Sequence, residues 1–274
     1  MSDATAYTEV DGLLVHRDGG DLQLTLCRPE KRNAIDDVML FGLIDTLTVA
    51  STDDRVRVIL VDGAGDHFCG GADIVARNRK DADAPKPRAG SIQRRLPTQA
   101  HELIRLVLGV QVPVVCKVRG YAAGIGFALA LAADFTIAAD DARFWAPFTQ
   151  RGFTPDSAMS WLLPRRVGEV RARELLLLGR ELTGADAAAW GAIHAAVPPL
   201  DLDKFVHNFL GEVGAGPTVG VGLTKWLLHA GRDASLEQQL RNEAFALELS
   251  SRSEDFREGM AALREKREPR FEGR

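Results

Sequence analysis

The sequence predicts an α/β fold with a mainly parallel sheet, followed by a helical C-terminal part. Short apolar segments with β character alternate with segments of helical spacing as far as Pro155, the order typical of parallel strands joined by helices. Beyond Pro155 nearly every segment has helical spacing. The chain has 274 residues, 46% of them hydrophobic and 26% charged, so it can bury a sizeable core, and its composition argues against fibrous, collagen-like and membrane classes.

The first part of the chain begins with a hairpin. Two β-like runs are separated by Gly19 and Gly20, which is the signal of a tight turn between paired strands. Asp36 is expected to cap the first helix, whose apolar residues recur at helical spacing to about Ala50. We expect strands at residues 12–18, 21–27, 56–65, 112–119 and 134–139, and an apolar patch at 142–148. We expect further helices from about residue 73, at roughly 92–108 and after residue 120, with a charged loop at 78–91.

The C-terminal part is predicted to be a series of helices. Their expected ranges are 157–163, 168–178, 184–190, 201–212, 218–229, 235–249 and 254–267. We therefore divide the chain after Pro198 and Pro199, into a core of residues 1–199 and a helical region of residues 200–274. The last segment, from Ser253, alternates charges and ends near the aromatic Phe271, which favours docking against a partner subunit.

Charge and hydropathy exclude several function classes. The net charge is −4 and the basic residues are scattered, so the sequence predicts no nucleic-acid partner. The longest apolar run, Tyr121 to Ala133, is shorter than the roughly 20 residues that a bilayer requires, so no membrane span is expected. The N-terminus lacks the order of a signal peptide, which predicts a cytoplasmic protein. Cys27, Cys69 and Cys116 lie in or beside apolar segments and are interpreted as buried, reduced packing residues.

Several common motifs are incomplete in this chain. The segment GIGFAL at 124–129 has Leu129 where a dinucleotide-binding turn needs its third glycine. No glycine loop is followed by the GK[ST] of a triphosphate cradle, and no GxSxG turn is present for a nucleophilic serine. Asp66, His67 and Cys69 lack a second ligand pair at the spacing of a metal site. Ser157 and Ser160 are interpreted as helix-terminal and packing residues.

Two glycine-rich turns remain as candidate sites. FCGGAD at 68–73 and GYAAGIG at 120–126 each follow an apolar segment and precede a predicted helix, so their backbone N–H groups are free to point outward. Two such donors directed at one oxygen form an oxyanion hole. The alternative is that both are ordinary tight turns, and the spacing alone leaves that alternative open.

The same segments resemble the crotonase superfamily, also called the enoyl-CoA hydratase/isomerase family. The likeness extends over nearly the whole chain and rests on several motifs in the family's order: RPEKRNAI at 28–35, FCGGADI at 68–74, GYAAGIGFALALAADFTIAA at 120–139, ARFWAPFTQRGFTPDSAMSWLLPRRVG at 142–168 and EGMAALREKREPRFEGR at 258–274. The resemblance implies a ββα spiral core, a helical C-terminal region that builds trimers and completes the CoA site, and an acyl-CoA thioester as substrate. It implies no separate cofactor, since coenzyme A is part of the substrate.

The resemblance assigns the oxyanion-hole donors to Ala72 and Ile125. Their backbone N–H groups should hold the thioester oxygen while an enolate forms, and the loss of one such donor typically costs about 2.7–4 kcal/mol. Relatives usually carry a small residue at the Ile125 position, so its side chain is expected to narrow the acyl pocket. The two glutamates of family hydratases correspond to Ala128 and Phe148, neither of which can move a proton. Hydration by the usual route is therefore not expected.

Asp156 matches the place where certain relatives carry their working carboxylate. Ring-epoxide phenylacetyl-CoA and dienoyl-CoA isomerases are similar there, and aryl-CoA dehalogenases use an aspartate at that place as a nucleophile. Because Asp156 precedes a helical run, an ordinary N-cap is the alternative. An aspartate beside Phe148 and Trp145 would be partly desolvated and so a better base, which favours a proton shuttle.

The resemblance also predicts contacts with the CoA part of the substrate. Basic side chains of relatives reach the CoA phosphates from the places of Arg28, Lys31 and Arg32, for which solvated charges are the alternative. Asp73, Ile74 and Phe148 are expected along the acyl-CoA site. Four more residues are named on position alone: His67 and His101 for the acyl pocket, Lys266 and Arg267 for CoA across a subunit boundary.

These residues together favour an acyl-CoA isomerase that shifts a C=C bond through an enolate. A hydratase, a reaction with Asp156 as nucleophile, and an acyl-CoA binder without activity stay open as alternatives. The expected assembly is a homotrimer or a pair of trimers, on the resemblance only.

Overall fold

A six-stranded mixed sheet forms the centre of the fold in the computed structural model, which describes residues 7–73 and 88–274. In these ranges the strands are β1 (Leu13–Asp18), β2 (Asp21–Leu26), β3 (Val58–Gly63), β4 (Val114–Val118), β5 (Tyr121–Ala123), β6 (Phe135–Ala139), β7 (Arg143–Trp145), β8 (Glu181–Thr183) and β9 (Ala195–Val197). The large sheet has the order β1-β2-β3-β4-β6-β9, and a second, small sheet has the order β5-β7-β8.

Strand direction follows the predicted α/β pattern. The hairpin partners β1 and β2 are antiparallel, and β2, β3, β4, β6 and β9 pair in parallel. In the small sheet β5 and β7 are parallel, whereas β7 and β8 are antiparallel. The residues of β3 are almost all buried, as expected for a strand covered on both faces. The predicted parallel sheet and the hairpin at its edge are therefore confirmed.

Ten helices cover the sheet or follow it in the described ranges. They are α1 (Asp37–Ala50), α2 (Ser91–Arg95), α3 (Ala100–Gly109), α4 (Ile125–Ala132), α5 (Met159–Leu178), α6 (Gly184–Ala189), α7 (Leu202–Gly214), α8 (Thr218–Ala230), α9 (Leu236–Ser250) and α10 (Glu254–Glu265). The predicted cap of α1 is confirmed, because the Asp36 carboxylate accepts a hydrogen bond from the Met39 N–H at 3.0 Å. All eight residues of α4 are buried, so this helix lies inside the core.

The structure differs from the sequence prediction at two places. The helix expected at 92–108 is divided into α2 and α3, because Pro97 between them has no backbone N–H to continue a helix. The three-residue strands β5, β7, β8 and β9 were not expected, since such short segments carry no periodicity. The break expected between the helices at 157–163 and 168–178 is present as a kink in α5, where Gly168 has the non-helical angles φ +77° and ψ 164°.

The remaining predicted elements are either confirmed or outside the described ranges. The other C-terminal helices agree with their expected bounds within one or two residues. The helix expected from about residue 73 and most of the loop at 78–91 lie outside the described residues. The division of the chain after residue 199 stays a prediction. In the part of the chain that the structure describes, no helix combines the length and apolar character needed to cross a bilayer.

Helix α8 is fixed to the core by one buried cation. Lys225 is 6% exposed, and its ammonium group donates to the carbonyl oxygens of Val107 and Val112 and to the Asp134 carboxylate at 2.6 Å. Burial lowers the pKa of Lys225, which the adjacent Asp134 carboxylate opposes. The helical C-terminal region is therefore attached to the sheet by a charge pair as well as by apolar contacts.

Candidate active site

The first glycine turn is held by backbone hydrogen bonds to two neighbouring segments. The Cys69 N–H donates to the Tyr121 carbonyl at 2.8 Å, and the Ala123 N–H donates to the Cys69 carbonyl at 2.8 Å. On the other side, the Ile35 N–H donates to the Gly71 carbonyl at 2.8 Å, so Ala72 is bridged to Ile35. Gly71 has φ +105°, a backbone conformation that residues with a Cβ rarely adopt.

The second glycine turn lies between β5 and α4. Gly124 has φ +53° and ψ −119° at the N-cap of α4, where a glycine backbone is required. Its N–H donates to the Trp145 carbonyl at 2.9 Å, and its carbonyl accepts from the Ala128 N–H at 3.0 Å. The turn is therefore fixed on one side by β7 and on the other by the helix that it starts.

The two turns are in direct contact. A Cβ added to Gly124 would lie 3.8 Å from the Gly71 Cα, and one added to Gly126 would lie 2.6 Å from the Cys69 Cβ. Ala72 and Ile125 directly follow Gly71 and Gly124, so their N–H groups belong to backbones that touch. Within residues 7–73 and 88–274, neither of these two N–H groups donates a hydrogen bond. This arrangement leaves two neighbouring donors available for one external oxygen.

Cys69 packs beneath both turns and has no reactive character. Its thiol is fully buried and accepts a hydrogen bond from the Gly71 N–H at 3.4 Å. Burial raises the pKa of the Cys69 thiol to about 12, so the sulfur stays protonated at neutral pH. Cys69 and Cys116 are buried free thiols, as expected, whereas Cys27 is only partly buried.

Asp156 lies in an irregular segment just before α5 and is partly exposed. Its carboxylate accepts a hydrogen bond from the Ser157 hydroxyl at 2.9 Å, and its carbonyl accepts from the Met159 N–H at 2.9 Å. The N-cap of α5 is Ala158, with φ +59°, and no side chain caps the helix. The alternative of an ordinary N-cap is therefore excluded for Asp156, whose carboxylate is not used to cap α5.

The segment before Asp156 is fixed to the end of α5. Trp145 donates its indole N–H to the Gly179 carbonyl at 2.9 Å, and the Thr149 hydroxyl donates to the Leu176 carbonyl at 3.0 Å. Phe148 is 4% exposed and packs edge-to-face against Phe153, with the ring centroids 5.7 Å apart. These contacts fix the path of the chain between β7 and Asp156.

The two positions that the family resemblance assigns to the glutamates of hydratases are apolar and enclosed. Ala128 lies on α4 with no exposed surface, and Phe148 is almost completely buried. Neither residue has an ionisable group, so neither can orient or activate a water molecule.

Arg28 and Asp73 form part of a structural ion cluster. The Arg28 guanidinium donates to the Asp73 carboxylate at 3.1 Å, contacts Asp36 at 2.9 Å and donates to the Ala34 carbonyl at 2.8 Å. Only 12% of the Arg28 side chain is exposed. The cluster connects the cap of α1 to the turn that carries Ala72. Arg28 and Asp73 were both predicted to contact the acyl-CoA substrate. In the structure they bind each other.

Lys31 and Arg32 are more accessible than Arg28. Lys31 contacts Asp73 at 3.2 Å and has 49% of its side chain exposed. The Arg32 guanidinium lies 5.5 Å from the centre of the Tyr121 ring, and Arg32 is exposed. Contact of these two side chains with CoA phosphates stays a prediction, and Ile74 lies outside the described residues.

The residues that were named on position alone have other contacts. The His67 ring accepts a hydrogen bond from the Tyr121 N–H at 3.3 Å, and His101 is exposed on α3. Arg267 pairs with Glu258 at 2.6 Å, and Lys266 ends α10 with φ +55°. Nothing in these contacts adds a group to the candidate site.

Asn33 was missed in the sequence although it supports the first turn. It is fully buried with φ +54°, and its side chain donates to the carbonyls of Ala64 and His67 at 2.9 and 2.6 Å. It also accepts from the Arg28 N–H at 2.8 Å. Among residues with a Cβ, asparagine is one of those that best tolerate a left-handed backbone. The sequence signal for such a turn was a short polar residue between the basic Arg32 and the apolar Ala34.

Two further observations concern possible ligand sites. Within the described ranges, no group of three or more His, Cys, Asp or Glu side chains is arranged to hold a metal ion. A cavity of about 720 Å³ is lined by residues that include Asp53, Gln111, Thr218 and Arg274, and none of the predicted site residues lines it.

Comparison with known proteins identifies the family of this chain. The family profile described as "Enoyl-CoA hydratase/isomerase" matches residues 17–274. The chain is 37% identical over 262 residues to 1,2-epoxyphenylacetyl-CoA isomerase of Escherichia coli K12, covering 96% of this chain and 98% of the relative. It is 30% identical to 2,3-dehydroadipyl-CoA hydratase of the same organism, covering 96% and 99%.

Solved structures show the same fold. The crystal structure of an enoyl-CoA hydratase from Bacillus anthracis superposes with a TM-score of 0.88 at 26% identity, covering 96% of this chain and all of that chain. The expected ββα crotonase core with a helical C-terminal region is therefore confirmed. The profile match and the relatives lead to one conclusion: the chain belongs to the enoyl-CoA hydratase/isomerase family, within the crotonase superfamily.

Proposed function

We propose that this protein is an acyl-CoA isomerase that moves a C=C bond through an enolate, with Asp156 as the proton shuttle. One observation carries the proposal. Two touching glycine turns leave the N–H groups of Ala72 and Ile125 without partners in the described residues, and Asp156 has a carboxylate that caps no helix. The positions that would activate water hold Ala128 and Phe148 instead.

The proposed reaction begins with a 3-enoyl-CoA bound through its thioester carbonyl. Asp156 removes a proton from C2, and the electron pair moves into a dienolate whose oxygen accepts hydrogen bonds from Ala72 and Ile125. Each donor contributes about 2.7–4 kcal/mol to stabilising this charge. The protonated carboxyl group then delivers a proton to C4, which gives the conjugated 2-enoyl-CoA. The step transfers no electrons to or from the enzyme, and the only coenzyme it involves is the CoA of the substrate.

The relatives support an unsaturated or aromatic acyl group. The relative that is 37% identical is named 1,2-epoxyphenylacetyl-CoA isomerase, an enzyme whose name describes an isomerisation on a CoA thioester. Other relatives are named hydratases, among them the 2,3-dehydroadipyl-CoA hydratase. The apolar residues at positions 128 and 148 favour the first of these reaction types for this chain.

Substitution of the carboxylate tests the proposal. The wild type should convert trans-3-hexenoyl-CoA to 2-hexenoyl-CoA, and Asp156→Asn should lower the rate by about 10²–10⁴-fold, because the amide cannot accept the proton. Asp141→Asn is the matched control, since Asp141 is an exposed turn residue and its loss should leave the rate unchanged. Undiminished isomerisation by Asp156→Asn would exclude the proton-shuttle role.

Three further measurements separate the alternatives. Hydration of crotonyl-CoA at an appreciable rate would favour a hydratase over an isomerase. A single turnover in ¹⁸O-labelled water places the label in Asp156 if that residue is a nucleophile, and leaves it unlabelled if it moves protons. Tight binding of acyl-CoA without exchange of the C2 protons for deuterium would show a binder without activity.

We also propose that the helical region of residues 200–274 forms the contacts of a homotrimer or a pair of trimers and completes the CoA site. Large apolar side chains are exposed along α8, α9 and α10 in the single chain, and a surface of this kind is usually covered by a partner. They are Trp226, Leu228, Leu236, Leu240, Phe245, Leu247, Leu249, Phe256, Met260 and Leu263. Light scattering should give three or six subunits, and a stable monomer would contradict this assembly.

A further inference from the structure

Ser157 and Ala158 form an unusual backbone turn directly after Asp156. Their φ angles are +51° and +59°, in the left-handed region that residues with a Cβ seldom occupy. Such strain costs about 1–3 kcal/mol per residue and persists only where the surroundings hold it in place. Two consecutive strained residues beside a candidate catalytic carboxylate therefore call for a functional explanation.

The turn is held by the start of α5. The Met159 N–H donates to the Asp156 carbonyl at 2.9 Å, and the Leu162 N–H donates to the Ala158 carbonyl at 2.9 Å. Met159 and Ser157 have no exposed surface. The core thus fixes both ends of the turn, and the Ser157 side chain has no freedom to point into solvent.

The consequence is a hydrogen bond between adjacent side chains. The Ser157 hydroxyl donates to Oδ1 of Asp156 at 2.9 Å. Within residues 7–73 and 88–274 this is the hydroxyl's only hydrogen bond, and Oδ2 of Asp156 accepts none. One carboxylate oxygen is therefore occupied by a buried donor, and the other stays available.

We propose that Ser157 is a positioning residue that fixes the Asp156 carboxylate, so that Oδ2 is the oxygen that takes and returns the substrate proton. This inference rests on the proposed isomerase function. A hydroxyl that donates to a carboxylate forms a charge-assisted hydrogen bond, which favours one orientation of the carboxylate side chain. The left-handed turn is the means by which the hydroxyl of residue 157 reaches back to residue 156.

Two substitutions remove the hydroxyl with opposite effects on the backbone. Ser157→Gly suits the left-handed conformation and relieves strain, whereas Ser157→Ala retains the strain. Both should lower kcat for trans-3-hexenoyl-CoA about tenfold while KM changes by less than about twofold.

Ala158→Gly is the matched control for the backbone. It relieves the same kind of strain in the next residue and keeps the hydroxyl, so its kcat and KM should equal those of the wild type. If both Ser157 variants retain the wild-type kcat, or if KM rises as much as kcat falls, the inference is overturned. A lower kcat in Ser157→Gly alone would assign the effect to backbone mobility and would also overturn it.

Failure of this inference differs from failure of the proposed function. If Asp156→Asn abolishes isomerisation while the Ser157 variants behave as wild type, Asp156 is the shuttle and Ser157 is a packing residue only. If Asp156→Asn retains full activity, the proposed function itself fails, whatever the Ser157 variants show.

Discussion

The turns that carry Ala72 and Ile125 and the segment that carries Asp156 are held in place in different ways. The turns are fixed by backbone hydrogen bonds between Cys69 and β5 and by close contact between glycines. Asp156 lies outside helices and strands, and the chain that leads to it is held by side-chain hydrogen bonds from Trp145 and Thr149 to the end of α5. One half of the candidate site thus offers backbone N–H groups, and the other half offers a side-chain carboxylate.

This difference indicates which half decides the reaction. Backbone donors stabilise an enolate oxygen whatever the side chains are, so the turns are compatible with every reaction that passes through an enolate. In the proposed mechanism, the choice among hydration, isomerisation and nucleophilic attack depends on the residues at positions 128, 148 and 156. Substitutions in the turns should therefore act through geometry, and those at Asp156 through chemistry.

The largest effect on kcat is expected from a substitution that adds a methyl group between the two turns. In Gly126→Ala the new Cβ would lie 2.6 Å from the Cys69 Cβ and 2.9 Å from its carbonyl oxygen, so the backbone must shift. Displacement of one oxyanion-hole donor should lower kcat by about 10²–10³-fold. Gly109→Ala is the control, because a Cβ there meets nothing within 4 Å. Equal activity of the two variants would show that the contact between the turns is unimportant.

The next effect concerns the ion cluster beneath the first turn. Arg28→Met removes the ion pairs of Arg28 with the buried Asp73 and with Asp36, and it keeps the contact between Asp73 and Lys31. We expect the free energy of unfolding to fall by about 2 kcal/mol, measured by urea denaturation. A large rise in KM for an acyl-CoA without loss of stability would instead place Arg28 at the CoA phosphates, as the sequence suggested.

A smaller effect is expected when the donor residue itself is changed. Ile125→Val retains the backbone N–H and shortens a side chain that is 5% exposed. The kcat should stay within about twofold of the wild type, and stability should fall by about 0.5–1.5 kcal/mol. A loss of kcat comparable to that of Gly126→Ala would mean that the Ile125 side chain acts in the reaction, and the distinction between the two halves would fail.

The sequence predicted the sheet and most helices because apolar periodicity and caps are local signals. It predicted the two turns because a glycine-rich segment after an apolar strand is also a local signal. It missed Asn33, the left-handed turn at Ser157 and Ala158, and the internal use of Arg28, because each depends on a partner distant in the chain or on a backbone angle. Lys225 is the clearest case, since its burial is set by carbonyls more than 100 residues away.

The smallest effect concerns His229, which lies outside both halves of the candidate site, and the dependence of stability on pH. Burial, with help from the nearby Arg232, lowers the pKa of His229 from 6.5 to about 4. Between these values the unfolded chain binds a proton that the folded chain does not, so stability falls as pH decreases from 6.5 to 4. Because the imidazole is partly exposed, solvent screening limits the loss to about 1 kcal/mol.

Urea denaturation of wild type and His229→Asn across this pH range measures the effect. The variant should lose less stability than the wild type on acidification. Parallel curves for the two proteins would contradict the assignment to His229.

Deuterium exchange at C2 of hexanoyl-CoA in D₂O tests the central claim most directly, because a saturated thioester can form the enolate but cannot isomerise. The account predicts exchange by the wild type, slowed by about 100-fold or more in both Asp156→Asn and Gly126→Ala. Rapid exchange by Asp156→Asn, or no exchange by a wild type that binds the thioester, would contradict it.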